Sequence, residues 1–240
     1  MNPVIQRRSH SRAGYTLIEL LVVMGIIAVI ASLILPITKS LKKRRIISVA
    51  QAQLNQVQTA IENYKSKIGF YPPDNPNNTV TNPLYFELVG TILDATTNKN
   101  YTTLDGSGQV QISDLSTFGV SGFVNSGTSL RGSDDKPGPI NFLKDLRPDQ
   151  VGHFVYGGNT PWNAVLVCSV SLPVGTLPNG LSSPIISSPP AGPQPPVLNP
   201  WRYVSTNPTN NVGRFDLWVD LVIGPNVYRV SNWRTSPQQL

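Results

Sequence analysis

An uncharged apolar run near the N-terminus constrains this chain more than any other feature. Residues 20–37 read LLVVMGIIAVIASLILPI and contain no charged side chain. Residues 15–37 include one carboxylate and, as a helix rising ~1.5 Å per residue, would extend for roughly 34 Å, enough to cross a ~30 Å hydrocarbon core. A secretory signal peptide usually has a shorter apolar region followed by a small-residue cleavage site. We therefore predict a single membrane span over residues 15–37.

The positive charge of the chain is concentrated beside this run. Eight basic residues and one acidic residue precede position 46, a net charge of +7, whereas the remainder carries 11 basic and 12 acidic residues. Because this remainder of the chain has no net positive charge, it has no general electrostatic attraction for a phosphate backbone. We therefore expect no nucleic-acid partner. Three arginines precede the run and five basic residues follow it. By the positive-inside rule alone, the C-terminal side would face the cytoplasm.

The residues that lead into the run form a recognisable motif. Residues 12–22, RAGYTLIELLV, resemble the processing signature of type IV prepilins and type II secretion pseudopilins. The resemblance implies cleavage after Gly14 by a prepilin peptidase and N-methylation of Tyr15, where the family usually has phenylalanine. It also implies a cytoplasmic leader over residues 1–14, an inner-membrane anchor and an extracytoplasmic body, the reverse of the orientation that charge alone suggests. Pro36 matches the proline that the family carries within its membrane segment.

Glu19 is the one charged residue within the predicted span. A carboxylate in an apolar helix costs roughly 2 to 4 kcal/mol and often marks function, although a hydrated position beside Arg12 at the headgroup level would also explain it. The resemblance implies an assembly role. Cleavage after Gly14 would create an ammonium on Tyr15 one helical turn away, and Glu19 would pair with it in the same subunit or in a staggered neighbour.

The helical pattern continues beyond the span as an amphipathic stripe. Its apolar positions recur every three or four residues and are Ile47, Ala50, Leu54, Val57, Ile61, Tyr64 and Ile68. Gly69 and the pair Pro72 and Pro73 end the pattern. We predict a helix over residues 15–69 whose stripe packs on the globular domain, in preference to a coiled coil. Pro36 within it predicts a kink, or else the end of the membrane segment.

Residues 70–240 have the pattern of a small α+β domain. We predict a helix over residues 83–94 and a possible short helix over residues 140–146. The predicted strands are residues 110–112, 152–156, 164–170, 201–205, 215–223 and 227–230. Residues 173–200 contain nine prolines and are predicted to form an exposed loop. The resemblance implies the pilin-like ladle fold, a long N-terminal helix packed on a small antiparallel sheet.

The C-terminal part is similar to the major pseudopilin-like branch. The similarity lies in NPWRY at residues 199–203, FDLW at 215–218, GPN at 224–226 and NW at 232–233. In that branch an acidic loop binds calcium, but here Asp216, Asp220 and Asn226 are the few oxygen ligands left, so calcium stays possible and unassigned. Because one cysteine cannot form an internal disulfide, we expect burial of Trp201, Trp218 and Trp233 to stabilise this region.

The sequence contains no motif for catalysis. Zinc spacings, phosphate-binding loops and nucleophile elbows are absent from the sequence. His153 lies in a strand pattern and Cys168 in an apolar run, where an inert buried thiol is the default. The resemblance therefore implies a structural subunit of a type II secretion pseudopilus or type IV pilus-like filament, which assembles with other pilins on an inner-membrane platform and serves protein secretion, rather than an enzyme. The alternative is a signal-anchored extracytoplasmic enzyme or receptor domain.

Overall fold

The computed structural model describes residues 16–94, 99–128, 138–156, 160–173 and 197–240, with the backbone alone at residues 33–39, 155–156 and 160–162. Within these residues the fold is α+β, with an N-terminal helix and mostly antiparallel sheets. The chain divides into two compact units, Met1–Arg44 and Arg45–Leu240. The Pro-rich segment predicted at residues 173–200 lies mainly outside the described residues.

The long helix α1 spans Leu17–Ile68. It continues through position 36, so Pro36 does not end it. Among the described residues, no helix carries a stretch both long enough and apolar enough to cross a membrane. The C-terminal half of α1 buries its predicted stripe in the core of the second unit, with Ala50, Leu54, Val57, Ile61 and Tyr64 each at most 5% exposed. Glutamines beside the stripe add hydrogen bonds, since Gln53 pairs with both the backbone N–H and the hydroxyl of Ser169.

The described part of the second unit contains three sheets. In the first sheet, β1 (Thr91–Leu93), β2 (Asn100–Thr103), β3 (Gln109–Gln111) and β4 (Ser126–Thr128) lie in the order β3-β2-β1-β4, and only β1 and β4 run parallel. The hairpin pairs β5 (Val151–Tyr156) with β6 (Thr160–Leu166). The C-terminal sheet has the order β10-β9-β8-β7 and contains β7 (Arg202–Val204), β8 (Asp216–Ile223), β9 (Asn226–Ser231) and β10 (Gln238–Gln239).

The predicted helix over residues 83–94 is wrong in its second half. Helix α2 spans Leu84–Val89 and ends at Gly90, whose φ of +80° is outside the helical region. A Cβ at Gly90 would lie 3.0 Å from the carbonyl oxygen of Ile140 and 3.2 Å from the Asn125 amide nitrogen. Because glycine tolerates this φ, the chain can end α2 at Val89 and begin β1 at Thr91. The sequence pattern predicts that the helix continues there.

Two other predicted elements also differ from the structure. Residues 140–146 form no helix, because the backbone there is held by loop contacts such as the 2.9 Å bond from the Ile140 N–H to Asn125 Oδ1. The predicted strand 164–170 ends at Leu166, and Val167 then forms an isolated bridge with Pro200. The strands predicted at 110–112, 152–156, 201–205, 215–223 and 227–230 are confirmed to within two residues at each end.

The tryptophans of the C-terminal region are buried to different extents. Trp201 is fully buried in the core, whereas Trp218 and Trp233 are half-buried and form an edge-to-face pair with ring centroids 5.7 Å apart. The expected burial is therefore confirmed for Trp201 alone.

Candidate functional site at the start of the long helix

The described residues begin at Thr16, the second residue after the predicted cleavage point. Gly14 and Tyr15, the residues predicted for cleavage and methylation, lie outside the described residues. Glu19 lies in the first turn of α1, which begins at Leu17. The first described residues of the motif are therefore the helix start and its one carboxylate.

Thr16 and Glu19 form a reciprocal capping box. The Thr16 N–H and hydroxyl donate to Glu19 Oε2 at 2.8 and 3.0 Å, and the Glu19 N–H donates to Thr16 Oγ1 at 3.3 Å. This arrangement satisfies donors that a helix N-terminus leaves unpaired, and it places a carboxylate at the positive end of the helix dipole. This capping role was not predicted from the sequence, although Thr-x-x-Glu before an apolar run is its ordinary signature.

The side chains that follow are apolar around the whole helix and are exposed. Leu17 is 81% exposed, and ten further large apolar residues up to Ile30 are between 51% and 68% exposed. A helix that is apolar on one stripe packs on its own domain, but one that is apolar on every side requires apolar surroundings on every side. Contiguous apolar surface of this extent marks an interaction surface. The first unit therefore has its apolar surface available for lipid or for other helices.

The three oxygen ligands considered for calcium do not converge. The Asp216 carboxylate accepts backbone N–H groups of Thr209, Asn210 and Asn211 at 2.8 to 3.0 Å. Asp220 instead accepts two bonds from Arg229, at 2.8 and 3.0 Å. The Asn226 side-chain oxygen accepts from Gln239. Within the described residues no group of three His, Cys, Asp or Glu side chains is placed to hold a metal.

The two side chains considered for catalysis, His153 and Cys168, have a hydrogen-bonded and a buried environment, respectively. His153 Nε2 lies 2.6 Å from the backbone oxygen of Ser107, while the Ser107 hydroxyl hydrogen-bonds to Asp105 and Tyr85. His153 contacts the carbonyl oxygen of Ser107 rather than its hydroxyl. Ser107, His153 and Asp105 therefore do not form a nucleophilic triad. Cys168 is 2% exposed, and burial raises the pKa of its thiol to about 11, so the reactive thiolate is disfavoured.

Comparison with known proteins identifies the motif at the start of α1. Residues 9–35 match the model of the prokaryotic N-terminal methylation motif. The chain therefore carries the processing motif of prepilin-type proteins, and the resemblance to the prepilin and pseudopilin family is confirmed for this segment. No curated protein and no solved structure matched the chain.

Proposed function

We propose that this protein is a structural subunit of a type II secretion pseudopilus or of a related type IV pilus-like filament. It is made as a prepilin with a leader of residues 1–14, a helix of residues 15–69 and a body of residues 70–240. A prepilin peptidase cleaves after Gly14, and Tyr15 becomes the methylated N-terminus. The observation that supports this most directly is the methylation motif on a helix start whose apolar side chains are exposed on every side.

Before assembly, the N-terminal helix is proposed to anchor the subunit in the bacterial inner membrane. Residues 15–37 form the single span, and the body lies outside the cytoplasm. The exposed apolar side chains from Leu17 to Ile30 fit lipid at this stage. Contact with an inner-membrane assembly platform then delivers the subunit to the filament. The ladle fold of the pilins is the arrangement that we propose for helix and body.

In the filament, the same apolar surface is proposed to pack against the helices of neighbouring pilins. Glu19 supplies the charge that selects the register, because its carboxylate and the ammonium of Tyr15 are each costly without a partner in an apolar bundle. In the described chain the carboxylate is held by Thr16. We propose that the new N-terminal amine, adjacent to Thr16, competes for the same carboxylate after cleavage. The resemblance of residues 199–233 to the major pseudopilin-like branch supports a role in protein secretion.

Mass spectrometry of the mature N-terminus tests the processing step. We expect a chain that begins at methylated Tyr15, and we expect substitution of Gly14 by a bulky residue to leave the full-length precursor. An uncleaved chain that begins at Met1 in the wild type would support the signal-anchored enzyme or receptor instead.

A matched pair of glutamate variants tests the assembly step. Glu19→Ala should abolish shear-released filaments while the protein remains at normal level in the membrane, because the register-selecting charge is lost. Glu62→Ala is the control, since Glu62 lies on the same helix but forms an exposed ion pair with Arg214. Equal filament yield from both variants would overturn the assembly role of Glu19.

A further inference from the structure

A polar groove separates the second half of α1 from the chain segment that follows β9. The groove has a volume of about 410 Å³, within the range of roughly 300 to 1,000 Å³ that is typical of ligand sites. Its floor includes Leu54 and Val230, which are 5% and 2% exposed. One wall is the helix and the other is the segment from Ser231 to Pro237. All of these residues belong to the second compact unit.

The two walls are fixed before any ligand binds. Asn232 accepts the Leu217 N–H at 3.0 Å and donates to the Phe215 carbonyl oxygen at 2.9 Å, which anchors the far wall to the C-terminal sheet. Trp233 packs edge-on against Trp218, which limits the orientations of its ring. The Gln51 amide donates to the Thr235 carbonyl oxygen at 3.5 Å and links the helix to the opposite wall. A pre-formed site spends little binding energy on ordering its own side chains.

Several polar groups of the groove are available to a ligand. Among the described residues, the side chains of Asn55, Gln58, Arg234 and Ser236 form no hydrogen bond, although all four line the groove. Amides and a hydroxyl can donate and accept at once, and the guanidinium adds a fork of donors. Trp233 is half-buried and also lines the groove, so it adds aromatic surface beside these polar groups.

The composition of the lining excludes several classes of ligand. Among the described residues, no Asp, Glu, His, Cys or Lys lines the groove, which offers no carboxylates to a hard cation. Arg234 is the one charged side chain in this described lining, which is too little positive charge for a polyphosphate. Leu54 and Val230, the apolar residues of the floor, are almost fully buried and offer little apolar surface to the side chains of a peptide. What remains is a ligand that is flat, uncharged or weakly acidic, and rich in hydroxyl groups.

We propose that this groove binds a short stretch of a pyranose oligosaccharide. The apolar face of one sugar ring packs on Trp233, while Asn55 and Gln58 exchange hydrogen bonds with its hydroxyl groups from the helix side. Arg234 lies at the rim, where it contacts a ring oxygen or, in an acidic sugar, a carboxylate. The volume accommodates a segment of a few sugar units rather than a single one. The proposal stands on the groove alone and does not depend on filament assembly.

Calorimetric titration of the full-length protein tests the proposal. The protein is held in a detergent without a sugar headgroup, and the probes are tetramers of N-acetylglucosamine, glucose and galacturonic acid. We expect saturable binding of at least one tetramer, weakened at least tenfold by Trp233→Ala and by Gln58→Ala. Arg234→Gln distinguishes an acidic ligand from a neutral one, because it should strongly weaken binding of the acidic tetramer and weaken binding of the neutral tetramers only a little.

The control is Asn63→Ala, which changes an exposed amide on the same helix outside the groove and should leave affinity unchanged. Gln58→Ala keeps the test valid if Trp233→Ala does not fold. Failure of all three tetramers to bind would overturn the proposal, as would binding that neither groove variant weakens. Self-association lost with Trp233→Ala and unaffected by the tetramers would assign the groove to a second copy of the chain instead.

Discussion

At the scale of single residues, Glu87 is a buried carboxylate in the core of the second compact unit, Arg45–Leu240, which is the globular unit. It is completely buried on α2 and accepts hydrogen bonds from the Tyr64 hydroxyl at 2.8 Å and from the N–H groups of Val124 and Asn125 at 2.8 and 3.0 Å. These bonds connect α1, α2 and the loop before β4. Burial raises the pKa of the carboxyl group, while the hydrogen bonds act in the opposite direction. The residue therefore joins three parts of the fold at the cost of a buried ionisable group.

We predict that Glu87 gives the globular unit a pH-dependent stability that Glu87→Gln removes. Because the folded state holds the proton more tightly, the contribution of Glu87 is fully present below the ordinary pKa of 4.5 and is lost as pH rises through the raised pKa. Chemical denaturation of both proteins between pH 4 and pH 8 measures this. The stability of the wild type relative to the variant should fall with rising pH, and a constant difference would contradict the prediction. The lost acceptor itself should cost roughly 1 to 3 kcal/mol.

The capping box of Thr16 and Glu19 shows how far the candidate site could be predicted from single residues. The processing motif could be recognised in the sequence because its residue types occur in a fixed order along the chain. The contact between Thr16 and Glu19 is equally local, but Glu19 is also a charge in an apolar helix, and that feature alone predicts an assembly role rather than a cap. The environments of Asp216 and Asp220 could not be predicted from the sequence. The donors to Asp216 are backbone N–H groups of a turn, and the donor to Asp220 is an arginine on a neighbouring strand.

At the scale of elements, strongly periodic segments were predicted and short polar ones were missed. The stripe on α1 and strands β8 and β9 follow from periods of 3.6 and 2 that burial enforces. Strands β1, β2 and β4 have three or four residues each, and β2 reads Asn-Tyr-Thr-Thr. Such segments form strands only because neighbours offer hydrogen bonds, as when β1 pairs with β2 on one side and β4 on the other. That information is not local in the sequence.

Gly90 offers a direct test of why α2 ends where it does. Gly90→Ala should destabilise the globular unit by roughly 1 to 3 kcal/mol or more, because the φ of +80° disfavours a side chain and a Cβ would be crowded by neighbouring backbone and side-chain atoms. Gly213→Ala is the control, since its φ is +79° but a Cβ there meets no atom within 4 Å. Urea denaturation should show the larger loss at Gly90. Equal losses would mean that φ alone explains the position.

A buried ion cluster links β8 to both of its neighbouring strands, β7 and β9. Asp220 is 1% exposed, pairs with Arg229 through two bonds, and lies 3.9 Å from Arg202 on the other neighbouring strand. Burial lowers the pKa of Arg202, as does the charge of Arg229, while the Asp220 carboxylate opposes both effects. The carboxylate is thus what makes two neighbouring cations tolerable in the C-terminal sheet.

We predict that Asp220→Asn destabilises the globular unit by roughly 3 to 5 kcal/mol, because it leaves a buried guanidinium without its partner. Arg229→Gln should cost less, since the Arg229 side chain is 29% exposed and Arg202 still faces the carboxylate. Urea denaturation ranks the two variants. A chelator should not change the melting temperature of the wild type, because arginine side chains supply the positive charge at Asp220. A loss of stability with chelator would contradict this account.

At the scale of the whole molecule, the two compact units differ in whether their apolar side chains are exposed or buried. Described residues of the first unit between Leu17 and Ile30 expose their apolar side chains, whereas the core of the second unit draws on residues from Ile46 onward. Only the second unit contains sheets among the described residues. One continuous helix can therefore supply an association surface with its first part and a structural core element with its second part.

This division predicts that residues 45–240 fold without the first unit. The shortened chain should be soluble, because the exposed apolar residues up to Ile30 are removed, and it should unfold cooperatively because Val57, Ile61 and Tyr64 are retained in the core. A chain of residues 70–240 is the matched control and should fail to fold, since it loses this buried face of α1 and with it the Tyr64 bond to Glu87. Circular dichroism and thermal denaturation distinguish the two shortened chains. A folded 70–240 chain, or an unfolded 45–240 chain, would show that the second half of α1 is not the core element that its burial indicates.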